Sequence, residues 1–205
     1  MNNKWFQYLA LFLLLVVLPA GSWYYLQKGL DYRLETKREL KDFGAFLFRD
    51  TPDIDGTLIT QDSLKGKLAV VNIFRPGADV DVLFREVKKV HKQFDTQPVV
   101  QFLFYATPAD SLALRELADR RQLYDPGQIR YLVVPTEEQF PDLHLPAVEN
   151  ASGNPVLALA DMNGKIRQFY DFRDGARVKR LVEHLAILLP IPETDKPELV
   201  REKEK

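Results

Sequence analysis

The sequence predicts an α/β protein with a central mixed sheet and flanking helices, preceded by one transmembrane helix. Three observations carry this reading. An uncharged stretch, Trp5–Gln27, lies between Lys4 and Lys28, and a bilayer core takes about 20 apolar residues to span. Beyond it, apolar runs of strand length alternate with segments whose apolar residues recur at helical spacing. Near the end, Asn163-Gly164 supplies a hairpin turn, so a parallel run of strands closes antiparallel.

At 205 residues, the chain holds one good-sized core beside an anchor, and not two. The 28 basic and 29 acidic residues sum to a net charge of −1, which speaks against a nucleic-acid partner. No cysteine occurs. That excludes disulfides, thiol catalysis, thiolate metal sites and lipid attachment through Cys, while leaving the redox compartment open.

In the anchor, residues 1–27, the densest apolar run is Leu9–Leu18, with Trp5 at one end and Trp23-Tyr24-Tyr25 at the other as interfacial residues. Pro19 is tolerable in such a helix. Pro19-Ala20-Gly21 is a poor cleavage signal and aromatic residues follow directly, so a retained anchor is expected rather than a cleaved leader. Lys28, Arg33, Lys37, Arg38 and Lys41 outweigh Lys4 and, taken literally, place the following domain in the cytoplasm. Asp31, Glu35 and Glu39 interleave with them, and the rule weakens for long translocated domains, so the side stays open. Residues 28–42 read as a charged connector compatible with a helix.

The folded domain is expected over residues 43–189. Phe46–Thr60, with turn residues at Thr51–Gly56, reads as a small hairpin, and Gln61–Lys67 as a turn. Leu68–Phe74 is an apolar, β-branched run suited to a strand buried on both faces. Pro76-Gly77 breaks it, and Val80, Leu83, Phe84, Val87, Val90 and Phe94 then mark one face of a helix. Pro98–Tyr105 is a second central strand. A helix over Ser111–Arg121 follows, with Leu112, Leu114, Leu117 and Ala118 as its apolar positions, and then a third strand over Ile129–Val134. Pro135–Gly153 is irregular, with one helical turn at Glu137–Phe140. Pro155–Ala160 and Ile166–Tyr170 form the closing hairpin. A helix capped by Asp174 ends at Pro190, its stripe being Val178, Leu181, Val182, Leu185 and Leu188. Residues 190–205, rich in Pro and charge, read as a disordered tail.

Strand, helix, strand, helix, strand, hairpin and helix is the thioredoxin-like order. The residues resemble one branch of it more closely. Asp53, Asp55-Gly56, Ile59-Thr60, Leu64-Lys65-Gly66-Lys67 and Val70-Val71-Asn72-x-Phe74 form one frame; Val156-Leu157-x-Leu159-x-Asp161-x-Asn163-Gly164-x-Ile166-Arg167 form a second. Both are similar to the Sco/SenC family of membrane-anchored copper chaperones, and a single N-terminal span fits that family too. The resemblance implies the fold, a domain on the periplasmic or equivalent side of an inner membrane, and a connection to respiratory oxidase assembly. It also implies copper ligands, a Cys-x-x-x-Cys after the first strand and a His before the Pro155–Ala160 strand. Ungapped spacing places the two Cys positions at or within a residue of Ala78 and Val82, and the His at about Asn150–Asn154. None of these residues is a soft ligand. Pro155 stands where thioredoxin-like folds commonly keep a cis proline, which makes it a candidate for one.

What remains is a degenerate member with no catalytic residue, metal or cofactor expected, tethered to the membrane and acting on a protein partner as a binding or assembly module. The alternative is a non-thiol metal protein or enzyme built on Asp79, Asp81 and His144. Carboxylates at Asp79 and Asp81 also suit the positive end of the following helix. His91 continues an apolar stripe, which favours a hydrogen-bonded core histidine over a ligand. Asn150-Ala151-Ser152 matches a glycosylation sequon without further support.

Overall fold

A computed structural model describes residues 3–77, 79–144 and 156–190. The chain divides into two compact units, Met1–Leu40 and Lys41–Lys205.

In the first unit, α1 (Asn3–Phe12), a π-helical turn (Leu13–Val17) and α2 (Leu18–Arg38) run on without a break. Trp5–Arg38 is the one helix among the described residues long and apolar enough to cross a membrane. The π turn has a local cause. Pro19 lacks an N–H and its ring crowds the carbonyl four residues back, and just before it the Leu18 N–H donates to Leu13 O, five residues back. The charged segment beyond the apolar stretch stays helical as far as Arg38. Gln27 donates to Asp31 at 3.4 Å, Lys28 lies 5.1 Å over the Tyr24 ring, and Lys37 and Arg38 meet the negative end of the helix.

The second unit is built on a five-stranded sheet of order β5-β4-β3-β6-β7. Its strands are β3 (Leu68–Ile73), β4 (Val100–Ala106), β5 (Ile129–Val133), β6 (Val156–Ala160) and β7 (Ile166–Asp171). β3, β4 and β5 are parallel; β6 joins β3 antiparallel and β7 joins β6 antiparallel. The mixed sheet read from the sequence is therefore present, with Gly164 at φ +68° in the turn between β6 and β7. Strand side chains alternate between the two faces. On one face Phe84, from α4 (Val80–Phe94), stacks on Phe104 with ring centroids 5.4 Å apart and meets Phe74 edge-on at 6.3 Å. α5 (Pro108–Arg121) packs on β4 and β5, and α6 (Gly175–Leu188) on β7.

The opposite face is covered without a long helix among the described residues. Ala69, Val71, Leu103, Tyr105, Leu132, Ala158 and Phe169 pack there under Phe43, Phe46, Phe48, Ile59 and Leu143. The segment before β3 supplies most of this cover and bonds to both sheet edges. Phe43 N–H donates to Ile166 O at 2.9 Å and Ile166 N–H to Gly44 O at 2.9 Å, pairing the chain with β7. The small hairpin of β1 (Thr51–Pro52) and β2 (Leu58–Ile59) then reaches β5, where Ile54 N–H donates to Tyr131 O at 2.8 Å. Each edge is thus engaged at an isolated bridge, Ala45 with Lys165 and Asp53 with Leu132.

Three sequence readings shift. Gln61–Leu64, expected as a turn, is a short helix, α3, with the Gln61 N–H on Asp50 Oδ1 at 2.8 Å. α5 begins at Pro108 rather than Ser111, because Thr107 takes the extended N-cap geometry and proline is favoured in the first turn. In that helix Leu112 faces solvent, while Leu114, Leu117 and Ala118 are buried. Asp174 caps α6 as read, accepting from Ala176 N–H at 2.8 Å.

Phe84 is 0% exposed at the centre of the helical face, so Phe84→Ala should cost about 3–5 kcal/mol. Thermal denaturation should show this as a midpoint lowered by roughly 10 °C; a shift within error would place the core elsewhere.

Candidate functional site

The sequence directs attention to the turn from β3 to α4. The strand ends with Phe74 N–H donating to Tyr105 O at 2.7 Å, after which Arg75-Pro76-Gly77 leave the sheet. Asp79 stands at the N-cap of α4 without a side-chain capping bond. Val82 lies half-buried in the first turn and offers no ligand atom. Ala78, Asn150 and Pro155 lie outside the described residues, as does the sequon at Asn150.

Charged side chains tie this turn to three other segments. Arg75 pairs with Glu137, in the connection after β5, at 3.1 Å. Asp79 lies 3.5 Å from Arg173, just after β7, whose guanidinium also holds Asp171 at 2.8 Å. Arg121, at the end of α5, donates to Asp81 at 2.5 and 3.0 Å. The Arg121 guanidinium holds the Asp81 carboxyl below the usual carboxylate range. Arg173 does the same for Asp171, and Asp171 in turn pushes Arg173 up. These pairs are largely solvent-exposed, so water and salt screen them and they add little to stability. Their chemical effect is larger: both aspartates weighed as ligands or bases, Asp79 and Asp81, are engaged by arginine.

His144 lies in the irregular connection with a left-handed φ of 49°. Its Nδ1 is 3.1 Å from Asp142 and its Nε2 3.1 Å from Ala45 O. It is not joined to Asp79 or Asp81, and among the described residues no three of His, Asp and Glu converge as metal ligands would. His91 bonds Asp125 at 2.9 Å and meets Phe102 edge-on at 5.7 Å. Burial pushes the Asp125 carboxyl up, but His91 and the Gly127 N–H more than reverse this, leaving it low.

Two polar features escaped the sequence reading. His184 on α6 is fully buried, with Nδ1 2.6 Å from the Tyr170 hydroxyl; its position three residues after Leu181 was the available signal. Asn72, buried in β3, donates to Val156 O at 3.1 Å where the β3–β6 ladder has ended. At the other end of β3 lies an open cavity of about 470 Å³, lined by Phe46, Phe48, Leu64, Lys67, Ala69 and Met162 among others. Burial, with Arg130 nearby, pulls the Lys67 amine down.

No family model and no curated protein matches the chain. Solved structures do. A candidate protein disulfide isomerase from Bacteroides thetaiotaomicron superposes with a TM-score of 0.58 at 14% identity, covering 73% of this chain and 91% of its own. BsSco, a member of the Sco family of cytochrome c oxidase assembly proteins, gives 0.56 at 13%, covering 74% and 98%. A SCO1/SenC family lipoprotein from Bacillus anthracis gives 0.54 at 15%, covering 72% and 97%. The fold is thioredoxin-like.

Lowered carboxyl values set the sign of an acid effect. The Asp81 and Asp171 pairs contribute at pH values above the ordinary carboxylate range and lose that contribution as pH falls through their depressed values. Between about pH 5 and about pH 2.5, the thermal midpoint of Asp81→Asn/Asp171→Asn should therefore fall less than that of the parent. Parallel acid profiles would mean the pairs are not formed in solution.

Proposed function

We propose that this chain is a membrane-tethered, catalytically silent thioredoxin-like domain that works as a binding or assembly module. One observation carries the reading: a thioredoxin-like fold in a sequence with no cysteine at all, since the thiolate is the nucleophile of thiol exchange and the soft ligand of Cu(I). The ion-paired aspartates around the β3–α4 turn support it, because a carboxylate held by arginine is a poor base and a poor cation ligand. The fold shared with a cytochrome c oxidase assembly protein favours an accessory role beside a respiratory oxidase, with the domain on the periplasmic or equivalent side.

Copper titration tests the function. In competition with a Cu(I) chelator, the parent should bind no copper, whereas Ala78→Cys/Val82→Cys/Asn150→His should acquire tight, stoichiometric binding. Tight binding by the parent would sink the silent-domain reading and favour non-thiol ligands at Asp79, Asp81 or His144.

A reporter fused after Leu189 tests the tether and its side. The fusion should sediment with membranes, and a reporter active only outside the cytoplasm should be active. Activity of a cytoplasm-only reporter would reverse the orientation.

A further inference from the structure

The solvent face of α4 carries Arg85, Lys88, Lys89 and Lys92, spaced so that all four share one side of the helix. The end of α5 brings Arg120 and Arg121 against them, and the six cations line an open cleft of about 490 Å³. Two carboxylates answer them. Glu86 accepts from Arg85 and Lys89, each at 2.8 Å; burial pushes its carboxyl up, and the two cations more than reverse that, so it stays ionised. Asp81 takes Arg121. Lys88 Nζ donates to the Arg121 carbonyl at 2.7 Å. Among the described residues, Lys88, Lys92 and Arg120 have no carboxylate within ion-pair distance.

The chain as a whole is nearly neutral, at a net charge of −1, so this concentration does not follow from composition. Helix dipoles favour single cations at the ends of α4 and α5. They do not favour the convergence of six on one concave surface, where like charges repel. An anionic occupant removes that repulsion.

We infer that the α4–α5 cleft is the docking site for an acidic segment of a protein partner, a reading that rests on the binding-module function above. Charge selects the occupant: successive carboxylates along one acidic segment would meet Lys88, Lys92 and Arg120, none of which has a carboxylate of its own at ion-pair distance among the described residues. Electrostatic complementarity of this kind sets partner choice and association rate.

The test uses the full chain in neutral-lipid nanodiscs and fluorescein-labelled oligoglutamate, read by anisotropy. Binding should weaken steeply as salt rises. Lys88→Gln/Lys92→Gln/Arg120→Gln should lose about tenfold in affinity. Arg49→Gln/Lys65→Gln/Lys179→Gln, which removes the same charge from other faces, should lose no more than about twofold. Thermal melts confirm that both variants fold, and Lys92→Gln alone should move in the same direction if the triple variant melts early. Absence of binding by the parent at low salt overturns the inference. So does equal loss in both triple variants, or cleft-dependent binding to phosphatidylglycerol vesicles without binding to oligoglutamate. The two readings fail separately. A negative result here leaves the copper titration unchanged, whereas copper binding by the parent would remove the silent-domain reading and leave the cleft measurement standing.

Discussion

β3 is hydrogen-bonded along both edges and buried on both faces, and the rest of the folded domain is arranged by that constraint. Its partners β4 and β6 run in opposite directions relative to it, so the sheet is mixed from its centre outward. Its apolar side chains need cover above and below. α4, α5 and α6 supply one layer. The other is supplied by the chain that precedes β3, which starts as a partner of β7, crosses the sheet and ends against β5. Both ends of that crossing are bonded to sheet edges, so the segment that covers the face is also fixed across it. The β3–α4 turn is then left at the only exit from the strand, held by groups from three other segments.

Periodicity made most of this legible. The burial of Leu83, Phe84, Val87, Val90 and Phe94 follows their helical spacing in the sequence, and continuous apolar runs marked β3, β4 and β6 as strands buried on both faces. The hairpin at Asn163-Gly164 and the cap at Asp174 were legible because their chemistry is local. The cover was not, since Phe43, Phe46 and Phe48 pack by long-range contact and follow no regular repeat. The ion pairs escaped for the same reason: Arg75 with Glu137, and Arg121 with Asp81, join residues whose proximity only the fold creates. The cation cleft escaped as well, because Arg85, Lys88, Lys89 and Lys92 form it only with the end of α5. A deviation such as solvent-facing Leu112 also lies beyond propensity, because only packing decides which side of α5 is inside.

The turn illustrates how a scaffold persists when its usual chemistry is absent. Aromatic stacking of Phe84 on Phe104 and pairing along β3 act on the apolar and backbone groups that frame the turn, and neither interaction involves the residues at its tip. Salt-linked arginines and aspartates then occupy the rim at little net cost. In the binding-module reading proposed above, a surface of fixed, compensated charge would recognise the shape and charge of a neighbour.

Gly44 has φ +122°, and a Cβ built there would fall 2.7 Å from Cδ2 of His144. The imidazole thus occupies the volume that any other residue at position 44 would claim, and it fastens to the carbonyl of the next residue, Ala45. Removing the imidazole would clear that volume and still leave position 44 to glycine, because a φ of +122° is a conformation other residues rarely adopt. The two constraints at this glycine are therefore independent, one set by the backbone and one by the ring packed against it.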